Sequence, residues 1–257
     1  MEKLLIKNKK FKNLSEMFEI EQSLSIIAGP CSIESYEQME LVAQNLVKNK
    51  VEFIRGGAYK PRTSPYDFQG LGLDGLKILD DIRKKYKLLA VSEIMDPRDI
   101  EYGVKYTDII QIGSRNMQNY SLLKEVGRTQ HPVILKRGML STIEEFLLAA
   151  EHIITEGNSN IIMCERGIRT FEKYTRNTLD ITCIAAIKQE TSLPIITDLS
   201  HSLGRTDLIL PIAKSVIAVG ADGIMIEMCE NPTQALSDAH QHLSFEQFNK
   251  LIVALKT

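Results

Sequence analysis

The sequence predicts an α/β fold: a single-domain (β/α)₈ barrel with a short N-terminal extension. Three observations carry the prediction. Eight short apolar runs recur along the chain, amphipathic stretches of helical period lie between them, and 257 residues suit one such barrel. The runs fall at residues 24–28, 51–55, 88–92, 109–112, 133–136, 161–164, 194–197 and 223–227. Most are continuously apolar rather than alternating, as parallel strands buried on both faces read. Residues 36–49, 75–86, 142–156, 179–191 and 208–219 carry a helical period instead. Thr142 followed by Glu145 is a capping box opening one of them. A doubly wound open sheet competes, but would be expected to show fewer strands. No low-complexity linker or shift in composition divides the chain. One domain over residues 23–257 is therefore expected, with residues 1–22 left as a short element lying on the barrel.

Composition narrows the function. Hydrophobic residues make up 44% and charged residues 25%, close to the soluble average, which excludes a disordered chain. The most apolar stretch, residues 215–228, is broken by Asp222 and falls short of the roughly 20 residues of a membrane span. The start MEKLLIKNKKFKN lacks the apolar core and cleavage site of a secretory signal. A net charge of −2 gives no reason to expect nucleic acid as a partner. Cys31, Cys164, Cys183 and Cys229 form no CxxC pair, so reduced thiols in a cytoplasmic protein are expected.

The polar residues follow the strands. Cys31 follows the first; Arg55 ends the second, with Lys60 and Arg62 beyond; Glu93 and Arg115 follow the third and fourth. Lys136 and Arg137 end the fifth, Glu165 and Arg166 follow the sixth, Asp198 and His201 the seventh, and Glu227 ends the eighth. In a barrel these positions meet on the C-terminal face, where barrel enzymes keep their sites. Simple capping of buried strands explains one or two of them, but poorly explains a charged or metal-liganding type at every strand end.

Two chemical subsets stand out. Arg55, Lys60, Arg62, Arg115, Lys136 and Arg166, extended by Arg137 and Arg169, predict a small ligand with more than one anionic group. No GxxxxGK[ST] loop and no GxGxxG after a strand indicates a nucleotide. The Gly/Pro-rich loop GGAYKPRTSPYDFQGLG is of the kind that folds over a ligand. The second subset, Cys31, His201, Glu227 and Asp238, can hold one divalent transition metal (Mn²⁺, Fe²⁺, Co²⁺ or Zn²⁺), since sulfur disfavours Mg²⁺. Each member has a plainer reading. Cys31 can be a buried filler, His201 a hydrogen-bonded loop residue, Glu227 a catalytic acid, and Asp238 the cap of a helix containing AHQHL.

The segments AGPCSIES, RGGAYKPRTSPYDFQGLG, IQIGSRNMQN, ILKRG, CERGIRTFEKYTRNTLD, TDLSHS and NPTQALSD resemble the 3-deoxy-D-arabino-heptulosonate-7-phosphate (DAHP) synthases of the short, type Iβ kind. The resemblance runs from about residue 24 to residue 243. It implies a TIM barrel that condenses phosphoenolpyruvate with erythrose 4-phosphate and water, releasing phosphate at the first step of aromatic amino-acid synthesis. By that resemblance Cys31, His201, Glu227 and Asp238 hold the metal. Arg55, Lys60, Arg115, Lys136 and Arg166 bind phosphoenolpyruvate. Lys60, Pro61, Arg62, Thr63 and Asp238 lie along erythrose 4-phosphate. Lys60, where both substrates meet, is expected to give a proton to the forming hydroxyl, with Cys31 and His201 completing the catalytic set. Glu93 and Asp198 are expected to order water or support His201. The related 3-deoxy-D-manno-octulosonate-8-phosphate (KDO8P) synthases are the alternative, but carry a KANRS-like sequence where this chain has KPRTS. A non-catalytic phosphate-sugar-binding barrel is the other alternative, and the intact metal set argues against it. The resemblance further implies phosphorylated small-molecule substrates and a homotetramer. Two departures matter. Glu227-Met228-Cys229-Glu230 replaces the Glu-Val-His-Pro of many relatives, and residues 1–22 are too short for the regulatory domain others carry. Little feedback inhibition is therefore expected, with a separately encoded regulatory protein left open.

Overall fold

The computed structural model describes residues 4–21 and 24–256. Its strands are β1 (Ser25–Gly29), β2 (Phe53–Arg55), β3 (Leu89–Glu93), β4 (Ile109–Ile112), β5 (Val133–Lys136), β6 (Ile161–Glu165), β7 (Ile195–Asp198) and β8 (Gly223–Glu227). All pair in parallel in chain order, and β8 closes onto β1 from Ser25 opposite Gly223 to Gly29 opposite Glu227. Closure excludes the open-sheet alternative. The five predicted helices appear as Tyr36–Lys48, Leu73–Tyr86, Ile143–Ile154, Ile181–Glu190 and Ile209–Val219. Ile100–Tyr106, Tyr120–Gly127 and Phe245–Lys256 follow the remaining strands. The first two span only about two turns, too few for a period to declare itself. The Thr142–Glu145 capping box is present, each side chain accepting the other's backbone N–H.

Alternation along the strands divides the core. Ile27, Phe53, Val91, Ile109, Ile134, Ile162, Ile196 and Met225, one from each strand, pack together inside the barrel. Their sequence neighbours, among them Ile26, Ile54, Ile110, Leu135 and Ile224, join the larger cluster between sheet and helices. The N-terminal extension does more than lie on this surface. Leu14 of the short helix Leu14–Phe18 enters the interior cluster, with Met17, Phe18 and Ile20 packed against it. Phe18 meets Phe53, the first residue of β2, edge-on at 5.3 Å. The helix therefore plugs the N-terminal end of the barrel. The expected boundary at residues 22–23 lies outside the described residues. Leu14→Ala should cost about 2 kcal/mol or more of stability, by lost transfer energy and the cavity left behind. The catalytic constants should stay unchanged, because the plug and the C-terminal face lie at opposite ends. Denaturant melts alongside steady-state kinetics check both halves.

Candidate active site

The same alternation aims the polar residues. Two positions beyond each interior apolar residue stand Gly29, Arg55, Glu93, Gln111, Lys136, Cys164, Asp198 and Glu227. Arg55, Glu93, Gln111, Lys136 and, after β6, Arg166 line a cavity of about 200 Å³. Lys60, Pro61, Arg62, Arg115, Arg169, Arg176, His201 and Asp238 are also in its wall. The long loop after β2 folds back on itself to deliver Lys60 and Arg62. Lys60 N donates to Gln69 O (2.9 Å), and Arg62 Nε donates to Phe68 O (3.0 Å). Thr63, expected along the sugar phosphate, is instead exposed and outside the residues lining the cavity.

Arg137 and Glu165 need correcting too. Each is one residue out of phase with the inward set, so each points to the outer face. Arg137 Nη1 donates to Glu165 Oε2 (2.9 Å) and Asp180 Oδ2 (2.7 Å), and the guanidinium also donates to Ser141 O. Glu165 Oε1 accepts the Gly167 N–H (2.5 Å), fixing the turn on which Arg166 stands. These two residues brace the anion site from behind and do not line it.

Beneath the cations the four metal candidates converge. One donor atom from each of Cys31, His201, Glu227 and Asp238 lies within 4.8 Å of every other. Cys31 Sγ is 3.4 Å from Asp238 Oδ2, and His201 Nε2 is 3.4 Å from Glu227 Oε1 and 3.7 Å from Asp238 Oδ2. Cys31 and Glu227 are fully buried. Burial and the nearby Glu227 carboxylate push the Cys31 thiol up to about 12. Burial opposes ionisation of Glu227, but His201 and Arg55 together hold it well below the usual carboxylate range. Arg55 Nη1 donates to Glu227 Oε1 (2.8 Å), and Lys60 Nζ donates to Cys31 Sγ (2.9 Å). A thiol, an imidazole and two carboxylates around one point fit a divalent transition metal, whose charge favours the thiolate that burial alone disfavours.

His201 is oriented for that task. It lies on the short helix Leu199–Leu203, whose N-cap Asp198 accepts the His201 backbone N–H (3.0 Å). Asp198 Oδ2 also pairs with His201 Nδ1 (2.8 Å) and with Lys136 Nζ. Nδ1 so occupied turns Nε2 toward the cluster. Burial pulls the His201 pKa down, against the upward push of the Asp198 and Glu227 carboxylates. Glu93, by contrast, accepts from Gln111 Nε2 (3.0 Å) at the cavity wall.

Several site residues went unread in the sequence. Asp238 does not cap a helix of AHQHL. It sits in the left-handed region (φ 51°) before one 3₁₀ turn, Ala239–Gln241, and its side chain makes no capping bond. That turn brings Gln241 Nε2 to Glu227 Oε2 (2.5 Å) and Gln241 Oε1 to Arg176 Nη1 (2.6 Å), while Ser237 Oγ lies 3.1 Å from Cys31 Sγ. Arg176 also pairs with Asp238 (3.1 Å). Arg176 stood in a segment noted for its resemblance but carried no signal of its own. Cys229 is buried, and its N–H donates to Leu243 O.

A (β/α)₈ barrel whose mouth sets a cage of cations over four side chains able to hold a metal ion fits an enzyme of small, multiply anionic substrates. More narrowly, the chain belongs to the DAHP synthetase I family, whose model matches residues 12–257. It is 53% identical over 232 residues to the phospho-2-dehydro-3-deoxyheptonate aldolase of Thermotoga maritima, a match covering 90% of this chain and 69% of the relative. A 2-dehydro-3-deoxyphosphooctonate aldolase of Desulfosudis oleivorans is 30% identical over 250 residues, covering 90% of this chain and 89% of the relative. The solved DAHP synthase of Thermotoga maritima superposes with a TM-score of 0.88 at 52% identity, over 91% of this chain and 68% of that one. A truncated form of that synthase gives 0.84 at 48% identity, over 91% and 85%.

Proposed function

We propose that this chain is a 3-deoxy-7-phosphoheptulonate synthase, which condenses phosphoenolpyruvate with D-erythrose 4-phosphate and water to give DAHP and phosphate. The carrying observation is the four-donor cluster of Cys31, His201, Glu227 and Asp238 at the floor of a cation-lined cavity. In the reaction the enol carbon of phosphoenolpyruvate attacks the aldehyde carbon, water adds at its C2, and phosphate leaves with C–O cleavage. A divalent metal, when bound, supplies Lewis acidity that makes the aldehyde electrophilic. The remaining work falls to the chain. Arg55, Lys60, Arg115, Lys136 and Arg166 hold the phosphate and carboxylate of phosphoenolpyruvate in register, which supplies orientation as well as charge neutralisation. Pro61, Arg62 and Asp238 flank the sugar phosphate, and Thr63 joins them only if its loop moves inward. Lys60, whose Nζ donates to Cys31 Sγ, protonates the oxygen that becomes the new hydroxyl. Glu93, on the cavity wall, orders the attacking water.

The acceptor is the point at which a second reading differs. The KPRTS loop and the higher identity to the heptonate enzyme favour erythrose 4-phosphate over arabinose 5-phosphate. Phosphate release from phosphoenolpyruvate should be rapid with the first acceptor and near background with the second. The opposite order would move the chain to the octonate enzymes. We further propose Mn²⁺, Fe²⁺, Co²⁺ or Zn²⁺ as the metal, a cytoplasmic location and a homotetramer, with residues 23–257 as the catalytic barrel. The Cys31, His201, Glu227 and Asp238 donor set supports the metal, and four free, buried cysteines suit a reducing, cytoplasmic location. Phe171 and Leu140, both highly exposed, offer apolar area for assembly.

A further inference from the structure

His242 is a side chain that joins the backbones of two proposed metal ligands from opposite sides of the barrel seam. Cys31 follows β1 and Asp238 follows β8, so nothing in chain connectivity sets their spacing. The Cys31 N–H donates to His242 Nε2 at 2.9 Å, and His242 Nδ1 lies 3.0 Å from Asp238 O. Nε2 accepts an N–H, so it carries no hydrogen. The ring proton is therefore on Nδ1, which donates to the Asp238 carbonyl. Both bonds are shielded, since His242 is 2% exposed. The Cys31 carbonyl accepts from Gly57 N (3.2 Å) and Lys60 Nζ (3.2 Å), so the backbone of Cys31 is held at both its N–H and its C=O. Asp238 needs such a grip as well. A non-glycine residue at φ 51° holds its conformation only where the surroundings over-determine it.

We propose that His242 is a positioning residue: a backbone strut that presets the separation of Cys31 and Asp238 before metal arrives. It touches neither substrate nor metal. Ser237 and Gln241 act on the ligand side chains, whereas His242 sets where two of those side chains begin. The proposal rests on the four-ligand reading above.

Its test is metal affinity, read separately from turnover. Chelated wild type, His242→Leu and His242→Gln are titrated with Mn²⁺, and the thiolate-to-cobalt charge-transfer band is recorded after loading with Co²⁺. Glutamine presents an amide N–H and a C=O in place of the ring's donor and acceptor, so it can keep both bonds; leucine keeps the bulk and loses both. His242→Leu should weaken Mn²⁺ binding by about 10- to 100-fold, the usual cost of losing a supporting partner, and dim the thiolate band. His242→Gln should restore both toward wild type. Unchanged affinity in His242→Leu overturns the proposal while leaving the metal reading intact. Equal weakening in both variants overturns it too, because a merely steric role would show that pattern. Should His242→Leu fail to fold, His242→Gln decides alone: affinity near wild type upholds the strut, and a tenfold or greater loss overturns it. Wild type that takes up no Mn²⁺ sinks the metal reading and this proposal with it.

Discussion

A Cys31→Ala variant should fold but lose turnover and metal binding. Cys31 supplies the only sulfur in the cluster, and its Sγ lies against the proposed ligand Asp238 and the ammonium of Lys60. Removing a ligand atom should weaken Mn²⁺ binding by more than the roughly 10- to 100-fold that supporting partners cost, and activity should fall at least as far. The fold has little at stake. Cys31 is fully buried, but deleting one sulfur should cost on the order of 1 kcal/mol, well inside the stability of a domain this size. Circular dichroism, thermal melting and Mn²⁺ titration separate the two effects. Full activity with wild-type metal affinity would strike Cys31 from the ligand set.

Asp198→Ala should harm stability and function together. Its carboxylate is fully buried and serves three partners: the His201 backbone N–H, the His201 ring and Lys136. Truncation leaves the buried Lys136 ammonium unpaired, a change that costs about 3–5 kcal/mol when a buried ion pair loses one member. It also frees the imidazole to rotate away from the cluster. Melting should therefore drop sharply, and the KM for phosphoenolpyruvate should rise as Lys136 loses its anchor. The pH dependence has a definite sign. Burial resists ionisation of Asp198, but His201 and Lys136 hold it well below its ordinary value of 3.8. Its stabilising contribution is thus fully present above that ordinary value and is lost as pH falls through the depressed native one. The stability gap between wild type and Asp198→Ala should narrow only in that acid range. A gap that closes near neutral pH would contradict the pairing.

Much of this was legible because barrels make simple demands. Eight buried strands must read as short apolar runs, and anything polar at their ends must face the mouth or cap the sheet. What the runs do not reveal is phase. Lys136 and Arg137 are adjacent, equally cationic and equally near a strand end, yet only Lys136 lies in phase with Ile134 and points inward. Glu165 and Arg166 divide the same way. Applying the two-residue period from the interior apolar positions would have separated them. Leu14, Met17 and Phe18 carry helical spacing, but a five-residue helix gives that period too little length to stand out. The residues around Asp238 were beyond reach for a different reason. Gln241 and His242 act through one 3₁₀ turn entered from a left-handed residue, and AHQHL reads equally well as the start of a helix.

The most direct test of the central claim, that a cation-lined mouth works through a four-ligand metal centre, is one assay. Phosphate release from phosphoenolpyruvate with erythrose 4-phosphate is measured after exhaustive chelation and again after adding Mn²⁺. Activity that vanishes with the chelator and returns with Mn²⁺ is the predicted result; activity that survives complete metal removal would contradict it.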